Sequence, residues 1–283
     1  MKIKLGFIGG GNMASSIIGG LLNANSENSQ NAKLLTHKDI WVFEPNNDKA
    51  QELNSDFKIN LADNNIQLLE ECNIVVIAVK PQALQQILEP LKNTFKSSQP
   101  LIISIAAGIR SKTIEQWLDD KFAIVRVMPN TPALVGAGAS GLFANQRVSL
   151  EQKEITLELL NSIGINHWVQ NETDIDTVTA LSGSGPAYFM LFIKSLIEAA
   201  EAAGLDHHTA KELAVATASG SAKLIANSNE TLETLINNVT SPGGTTEQAL
   251  LSFNSNNLPI IINAAFEAAR QRSEELAEQL GNN

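Results

Sequence analysis

Apolar residues follow two different rhythms along the chain. Up to about residue 170 they gather into short runs rich in β-branched side chains: LGFIG at 5–9, IWVF at 40–43, IVVIAV at 74–79, LIISIA at 101–106 and AIVRV at 123–127. Runs of that length and content predict strands buried on both faces. Between them, MASSIIGGLLNA at 13–24 and QALQQILEPLKNTF at 82–95 carry apolar residues at helical spacing. Strand and helix in alternation predict an α/β fold with a doubly wound parallel sheet. The polar insert NANSENSQNAKLLTHKD at 23–39 reads as a helix end followed by a surface loop.

Beyond Asp174 the strand rhythm stops. The stretches 177–204, 209–228, 230–238 and 259–280 all repeat at helical spacing and are dense in Ala, Gly and Ser, which lets helices approach closely. The chain therefore divides into an α/β part, 1–170, and an all-α part, 171–283, joined without a flexible linker.

Composition narrows the classes. Of 283 residues, 43% are hydrophobic and 18% charged, enough to bury an ordinary globular core. There is no apolar run of 18 residues, and MKIKLGFIGGGNM reaches glycines before any signal-type core forms, so the sequence predicts a soluble, cytoplasmic protein. Cys72 is the single cysteine, and the four histidines lack ligand spacing, so no disulfide and no metal site is expected. A net charge of −10 argues against nucleic-acid and membrane-surface partners. An anionic ligand would have to be held by local features such as backbone N–H groups and helix N-termini.

Such a feature follows the first strand. Gly9-Gly10-Gly11-Asn12-Met13-Ala14 fits G-x-G-x-x-[GA] between a strand and a helix, the context that gives a dinucleotide fingerprint its meaning. Gly9 allows the tight turn, Gly11 lets pyrophosphate approach backbone, and Ala14 lets helix and strand pack closely. The bland alternative is a glycine turn that serves packing alone. At the end of the second strand, Glu44 stands where an acid accepts from the adenine ribose hydroxyls and favours NAD. It lies 33 residues after Gly11, beyond the usual ~20, an excess the polar insert accounts for. Asn46, Asn47 and Lys49 would instead donate to a 2′-phosphate if Glu44 turned away, so both coenzymes stay open. AVKP (Ala78, Val79, Lys80, Pro81) and SIAAG (104–108, with Ala106) end later strands in small residues against which a nicotinamide ring can lie. Lys80 faces either the cofactor phosphates or solvent.

A second feature interrupts the helical part. VTSPGGTTEQALLSFN, 239–254, holds one charge, Glu247, and places a Pro, two glycines and four hydroxyl residues in its first eight positions. An interhelix turn is the bland reading, with Thr246 as a cap and Ser241 as a turn former. ALSGSGPAY, 180–188, leaves two readings open, a pocket wall or a bend in a long helix, and Met128 to Thr131 leave a strand at its carboxyl end.

FIGGGNMA, AVKP, SIAAG, RVMPNTPA, ALSGSGPAY and above all VTSPGGTTEQALLSFN resemble the pyrroline-5-carboxylate reductase family, in order and at matching spacing over nearly the whole chain. The resemblance implies an N-terminal Rossmann domain and a C-terminal helical domain intertwined with a second subunit. It further implies dimers, in several members five dimers forming a decamer, and an active site shared between subunits. By the same resemblance Gly9, Gly10, Gly11, Asn12, Met13, Asn65, Ala78, Val79, Lys80 and Pro81 contact the cofactor. Asn238, Thr245 and Thr246 contact a small cyclic imine carrying one carboxylate. The SPGGTT turn, with Ser241, would supply donors to that carboxylate, Gly243 and Gly244 permitting turns that aim successive backbone N–H groups inward. Thr246 is placed against the ring nitrogen. NADP(H) is the family's usual coenzyme, and Glu44, where members often carry a small hydroxyl residue, puts that in doubt. Two other readings are a β-hydroxyacid dehydrogenase and a non-catalytic dinucleotide sensor. Against the first, Lys194 lacks the surrounding G-x-x-G-x-x-x-K; against the second, SPGGTT is whole.

Overall fold

The structure, a computed structural model, describes residues 2–24 and 35–281. β1 (Leu5–Ile8) runs into α1 (Asn12–Ala24); β2 (Ile40–Phe43), α2 (Asn47–Phe57), β3 (Asn60–Leu61), α3 (Asn65–Glu71) and β4 (Ile74–Ile77) follow. Next come α4 (Pro81–Leu88), α5 (Lys92–Ser98), β5 (Leu101–Ser104), α6 (Ser111–Leu118) and β6 (Ile124–Met128). β7 (Gly138–Ala144), α7 (Leu150–Leu160) and β8 (Gly164–Trp168) end the strand-bearing part. The remainder is helical: α8 (Asp174–Val178), α9 (Gly185–Ala202), α10 (His207–Ala226), α11 (Leu232–Asn238), α12 (Thr245–Ser255) and α13 (Leu258–Gly281).

All five apolar runs are strands of one sheet, ordered β3-β2-β1-β4-β5-β6-β7-β8. Their β-branched residues suit a pleat covered on both sides, and β1, β4 and β5 are buried throughout. Leu5, Phe7, Val42, Val76 and Ile103 feed one core face; Ile8, Val75, Ile77, Ile102 and Ile124 feed the other. The order reverses between β1 and β4, so a crevice opens where their carboxyl ends diverge, the usual ligand position of such sheets.

The expected α/β fold is present, and the structure refines it in three places. The sheet is mostly, not wholly, parallel: β7 runs antiparallel to β6. β7 and β8 carry little strand signal, since GASGLFA has only two large apolar residues and GINHW lies on an edge with alternating exposure. The stretch 82–95 is two helices, α4 and α5, separated by a 3₁₀ turn over Glu89–Leu91. Pro90 lacks the N–H that a continuous helix would require there. The stretch 177–204 likewise breaks, at a π-helical turn over Thr179–Gly183. The part of the polar insert at 25–34 lies outside the described residues.

By contact the chain forms two compact units, one of residues 1–184 with 269–283 and one of residues 185–268. In the first, a buried ionic cluster ties late residues to the sheet. Arg126, in β6, donates to Glu172, which also accepts from Ser111 N and Oγ. Arg110 pairs with Asp176, and Asp176 accepts from Ser273 of α13 at 2.7 Å. Burial pushes the Arg126 guanidinium below its usual range, opposed by the Glu172 charge. Two cations thus face two anions, and removing one partner would leave a buried charge unpaired, at about 3–5 kcal/mol.

Candidate functional site

The glycine turn after β1 is pressed against the end of β4. Gly9 N donates to Phe43 O and Ala78 N to Ile8 O, each at 2.9 Å. Gly9 has φ +97°, and a Cβ there would stand 2.7 Å from Val79 Cγ1 and 2.8 Å from Ala78 O. No side chain fits. A Cβ on Gly11, by contrast, would meet nothing within 4 Å, which is the open approach a pyrophosphate needs. Asn12 and Met13 begin α1, whose first turn holds no acidic residue to neutralise its dipole. Ala14 is buried against the core.

Glu44 closes one side of this turn. Its carboxylate accepts from Gly10 N at 2.9 Å and from Asn46 N at 3.0 Å, while Asn46 caps α2 by accepting from Lys49 N. The carboxylate is therefore directed back to the glycine turn rather than away from it. Each oxygen keeps acceptor capacity beyond its one backbone bond. Asn65 opens α3, and its Oδ1 is buried with no hydrogen-bond partner among the described residues. Lys80 precedes α4 in extended conformation and is exposed, Pro81 is the first residue of α4, and Ala106 is buried beyond β5. An open glycine turn, a helix N-terminus and an orphaned buried amide oxygen together fit a dinucleotide. Cys72 offers no chemistry: burial pushes its thiol up to about 12.

At the carboxyl end of β6, Asn130 is buried and uses both ends of its amide. Its Oδ1 accepts from Ala139 N at 2.9 Å, and its Nδ2 donates to Ser182 O at 3.0 Å in the π-helical turn. Gly183 of that turn comes so near Met128 that a Cβ would stand 2.6 Å from Met128 Cε. The sequence placed Met128 to Thr131 at this end of the sheet, but not this bridge.

The late loop is a tight turn followed by a helix. Gly244 N donates to Ser241 O at 2.9 Å, with Pro242 and Gly243 (φ +72°) as the central residues, the type II arrangement. Gly243 N donates to Glu247 Oε2 at 2.8 Å, a reach back from the first turn of α12. Contrary to the expectation that this turn aims its own N–H groups at a ligand, both glycine N–H groups are engaged within the loop, because the turn closes on Ser241 and Glu247. The open donors are the N–H groups of Thr245, Thr246 and Glu247, which have no intrahelical partner. Asn238, at the end of α11, donates to Glu230 Oε2 at 3.1 Å. An acidic residue in the first turn of a helix is the local pattern that could have marked Glu247; none marks Glu230.

Comparison with known proteins bears on both parts. Residues 172–276 match the family model for pyrroline-5-carboxylate reductase dimerisation, and residues 4–108 match that for coenzyme F420-dependent NADP oxidoreductases. A pyrroline-5-carboxylate reductase of Pseudomonas aeruginosa is 42% identical over 98% of both chains, and one of Vibrio alginolyticus is 40% identical over 96% of this chain and 97% of that one. Among solved structures, a pyrroline-5-carboxylate reductase of Coxiella burnetii superposes with a TM-score of 0.89 at 38% identity, covering 98% of this chain and 99% of that one. A Plasmodium falciparum pyrroline carboxylate reductase with NADP bound gives 0.84 at 34% identity, with the same coverage. Identity at this level over nearly the full length leaves one assignment, and the chain belongs to the pyrroline-5-carboxylate reductase family.

Proposed function

We propose that the chain reduces 1-pyrroline-5-carboxylate to L-proline with a reduced nicotinamide dinucleotide, the closing step of proline biosynthesis. The observation that carries this reading is the near full-length identity to reductases of that name. When bound, the dihydronicotinamide supplies a hydride to the C=N carbon. The turn at Gly9, Gly10 and Gly11 and the first residues of α1, Asn12 and Met13, would hold the pyrophosphate. Asn65, Ala78, Val79, Lys80, Pro81 and Ala106 would line the rest of the dinucleotide.

The substrate carboxylate needs concentrated donors in a protein of charge −10. The N–H groups of Thr245, Thr246 and Glu247 and the threonine hydroxyls offer them. The dipole of α12 adds about 0.3–1 kcal/mol, up to ~2 when partly buried. The Ser241–Gly244 turn, clamped by Glu247, shapes the cradle, and Asn238 stands at its edge. Thr246 Oγ would lie against the ring nitrogen, accepting from an iminium N–H or donating to the developing amine. Its alcohol is too weak an acid to protonate the ring at neutral pH. An imine that binds already protonated needs no titrating residue, so the protein contributes position and field.

Two finer points belong to the same reading. The late loop would act on the dinucleotide of a second subunit, so the dimer is the catalytic unit, whether or not five dimers join into a decamer. Among the described residues no helix is long and apolar enough to cross a membrane, and a cytoplasmic place suits such chemistry. Coenzyme choice turns on Glu44: its charge, directed to the glycine turn, favours NADH over a coenzyme with a 2′-phosphate.

Loss of NAD(P)H absorbance with pyrroline-5-carboxylate tests the activity, and turnover only of a 3-hydroxy acid supplied with NAD(P)+, read as a rise in that absorbance, would overturn it. Thr246→Val tests the role of the hydroxyl. Turnover should fall about 10–100-fold, as for a misoriented reactant, with coenzyme affinity within about twofold. Normal turnover with lost coenzyme affinity would place Thr246 elsewhere.

A further inference from the structure

Pro186 creates a specific difficulty in the turn before α9. In a regular helix the N–H of residue 186 would donate to Ser182 O, four residues back, and proline has no N–H to give. The backbone responds by widening: Ser184 N donates to Thr179 O at 2.8 Å, five residues apart, and Thr179–Gly183 form a π-helical turn. The donor that Ser182 O lacks comes from outside the helix, from Asn130 Nδ2 at 3.0 Å.

The same amide holds β7 through Ala139 N at 2.9 Å, and its residue follows β6 by two positions. Asn130 is 8% exposed, so losing either bond would leave a largely buried polar group without its partner. Gly183 against Met128 adds a close steric fit to the same junction. A widened turn is thereby fixed in one register at the carboxyl end of β6, the end of the sheet where dinucleotide-binding folds carry their ligands. π-helical turns of this sort recur at functional sites.

Resting on the reductase reading above, we propose that Asn130 is a positioning residue of the reduction. By bridging Ala139 and Ser182 it fixes the π-helical turn as the floor on which the imine meets the nicotinamide. It touches neither reactant. A completed loop cap would be its whole role if stability alone were at stake, and kinetics separate the two.

Asn130→Ala removes both bonds. Asn130→Asp keeps an oxygen for Ala139 N and, when ionised, loses only the donor to Ser182 O. In folded dimers of either variant, imine KM should rise and kcat fall, together by about 10–100-fold in kcat/KM, the penalty of a displacement near 1 Å. Coenzyme affinity, read by fluorescence titration, should stay within about twofold. A protonated aspartic acid can donate where the ionised one cannot. The activity of Asn130→Asp relative to the parent should therefore climb as pH falls. The proposal is overturned if either variant keeps parental imine kinetics, if activity falls only with the folded fraction at unchanged imine KM, or if the Asn130→Asp ratio is flat with pH. Failure of the parent itself to reduce pyrroline-5-carboxylate would sink the reductase reading instead, before any variant is compared.

Discussion

The two compact units solve the problem of burial differently. In residues 1–184 with 269–283, strands covered on both sides bury Phe7, Phe95 and Phe122 completely, and the glycine turn after β1 is packed against β4 of the same chain. In residues 185–268 only Gly185 and Ala210 are buried, while Phe189 is 72% exposed, Leu191 63% and Ile261 59%. Apolar helices of this kind are not stable faces for water; they are half of a core. The dimerisation model covers them, so the missing half is a second copy. One unit carries its folding information in its own chain. The other shares it.

The sharpest way to break that contrast is to charge the shared face. Leu191→Glu combined with Ile261→Glu would bury two unpaired carboxylates from each subunit of the dimer, each opposed by several kcal/mol of desolvation. Turnover should drop by more than about a hundredfold, and size-exclusion chromatography should show loss of the dimer. Coenzyme affinity should change only a few-fold, because the glycine turn belongs to the other unit. A stable dimer with full activity would mean that these residues face solvent in the assembly.

The converse experiment leaves association alone and damages the self-contained end. Gly9→Ala places a methyl group 2.7 Å from Val79 Cγ1 on a backbone at φ +97°, strain of about 1–3 kcal/mol. Coenzyme affinity should weaken about 10–100-fold by titration, with the dimer unchanged. Undiminished affinity would remove this turn from the cofactor site.

The sequence showed the two units unequally, for the same reason. Strands such as IVVI and LIIS announce themselves because burial on both faces demands continuous β-branched residues. GASGLFA and GINHW do not, since an edge strand and a glycine-rich neighbour need no such run. The helices at 209–228 and 230–238 were legible by period. The break within 177–204 was legible only as one of two readings, a bend or a pocket wall, because a proline marks a kink without saying that the helix widens there. At the candidate site, Gly9 stands in the turn after β1 and Glu44 just past β2, as the strand-helix pattern predicted. The partners of Asn130 and Asn238 depend on residues 52 and 8 positions away meeting in three dimensions. No local pattern records such a meeting.

The smallest expected effect concerns coenzyme choice at the self-contained end. Glu44 accepts from Gly10 N and Asn46 N, so its charge is fixed beside the glycine turn even without ligand. A ribose with two free hydroxyls can donate to it. A 2′-phosphate would face it as a second anion, and two such charges a few ångströms apart repel by about 1–2 kcal/mol in a water-like dielectric. Glu44→Ser removes that repulsion and leaves a hydroxyl that can donate to phosphate. The NADPH/NADH ratio of kcat/KM should rise by about tenfold, the equivalent of ~1.4 kcal/mol. The serine also leaves at least one of the two backbone donors without its partner, costing about 0.5–1.5 kcal/mol of stability. Comparing the coenzymes on one variant cancels that loss, because both are bound by the same folded chain. If the ratio stays put, the carboxylate serves the turn alone, and the choice of coenzyme lies with other residues around it.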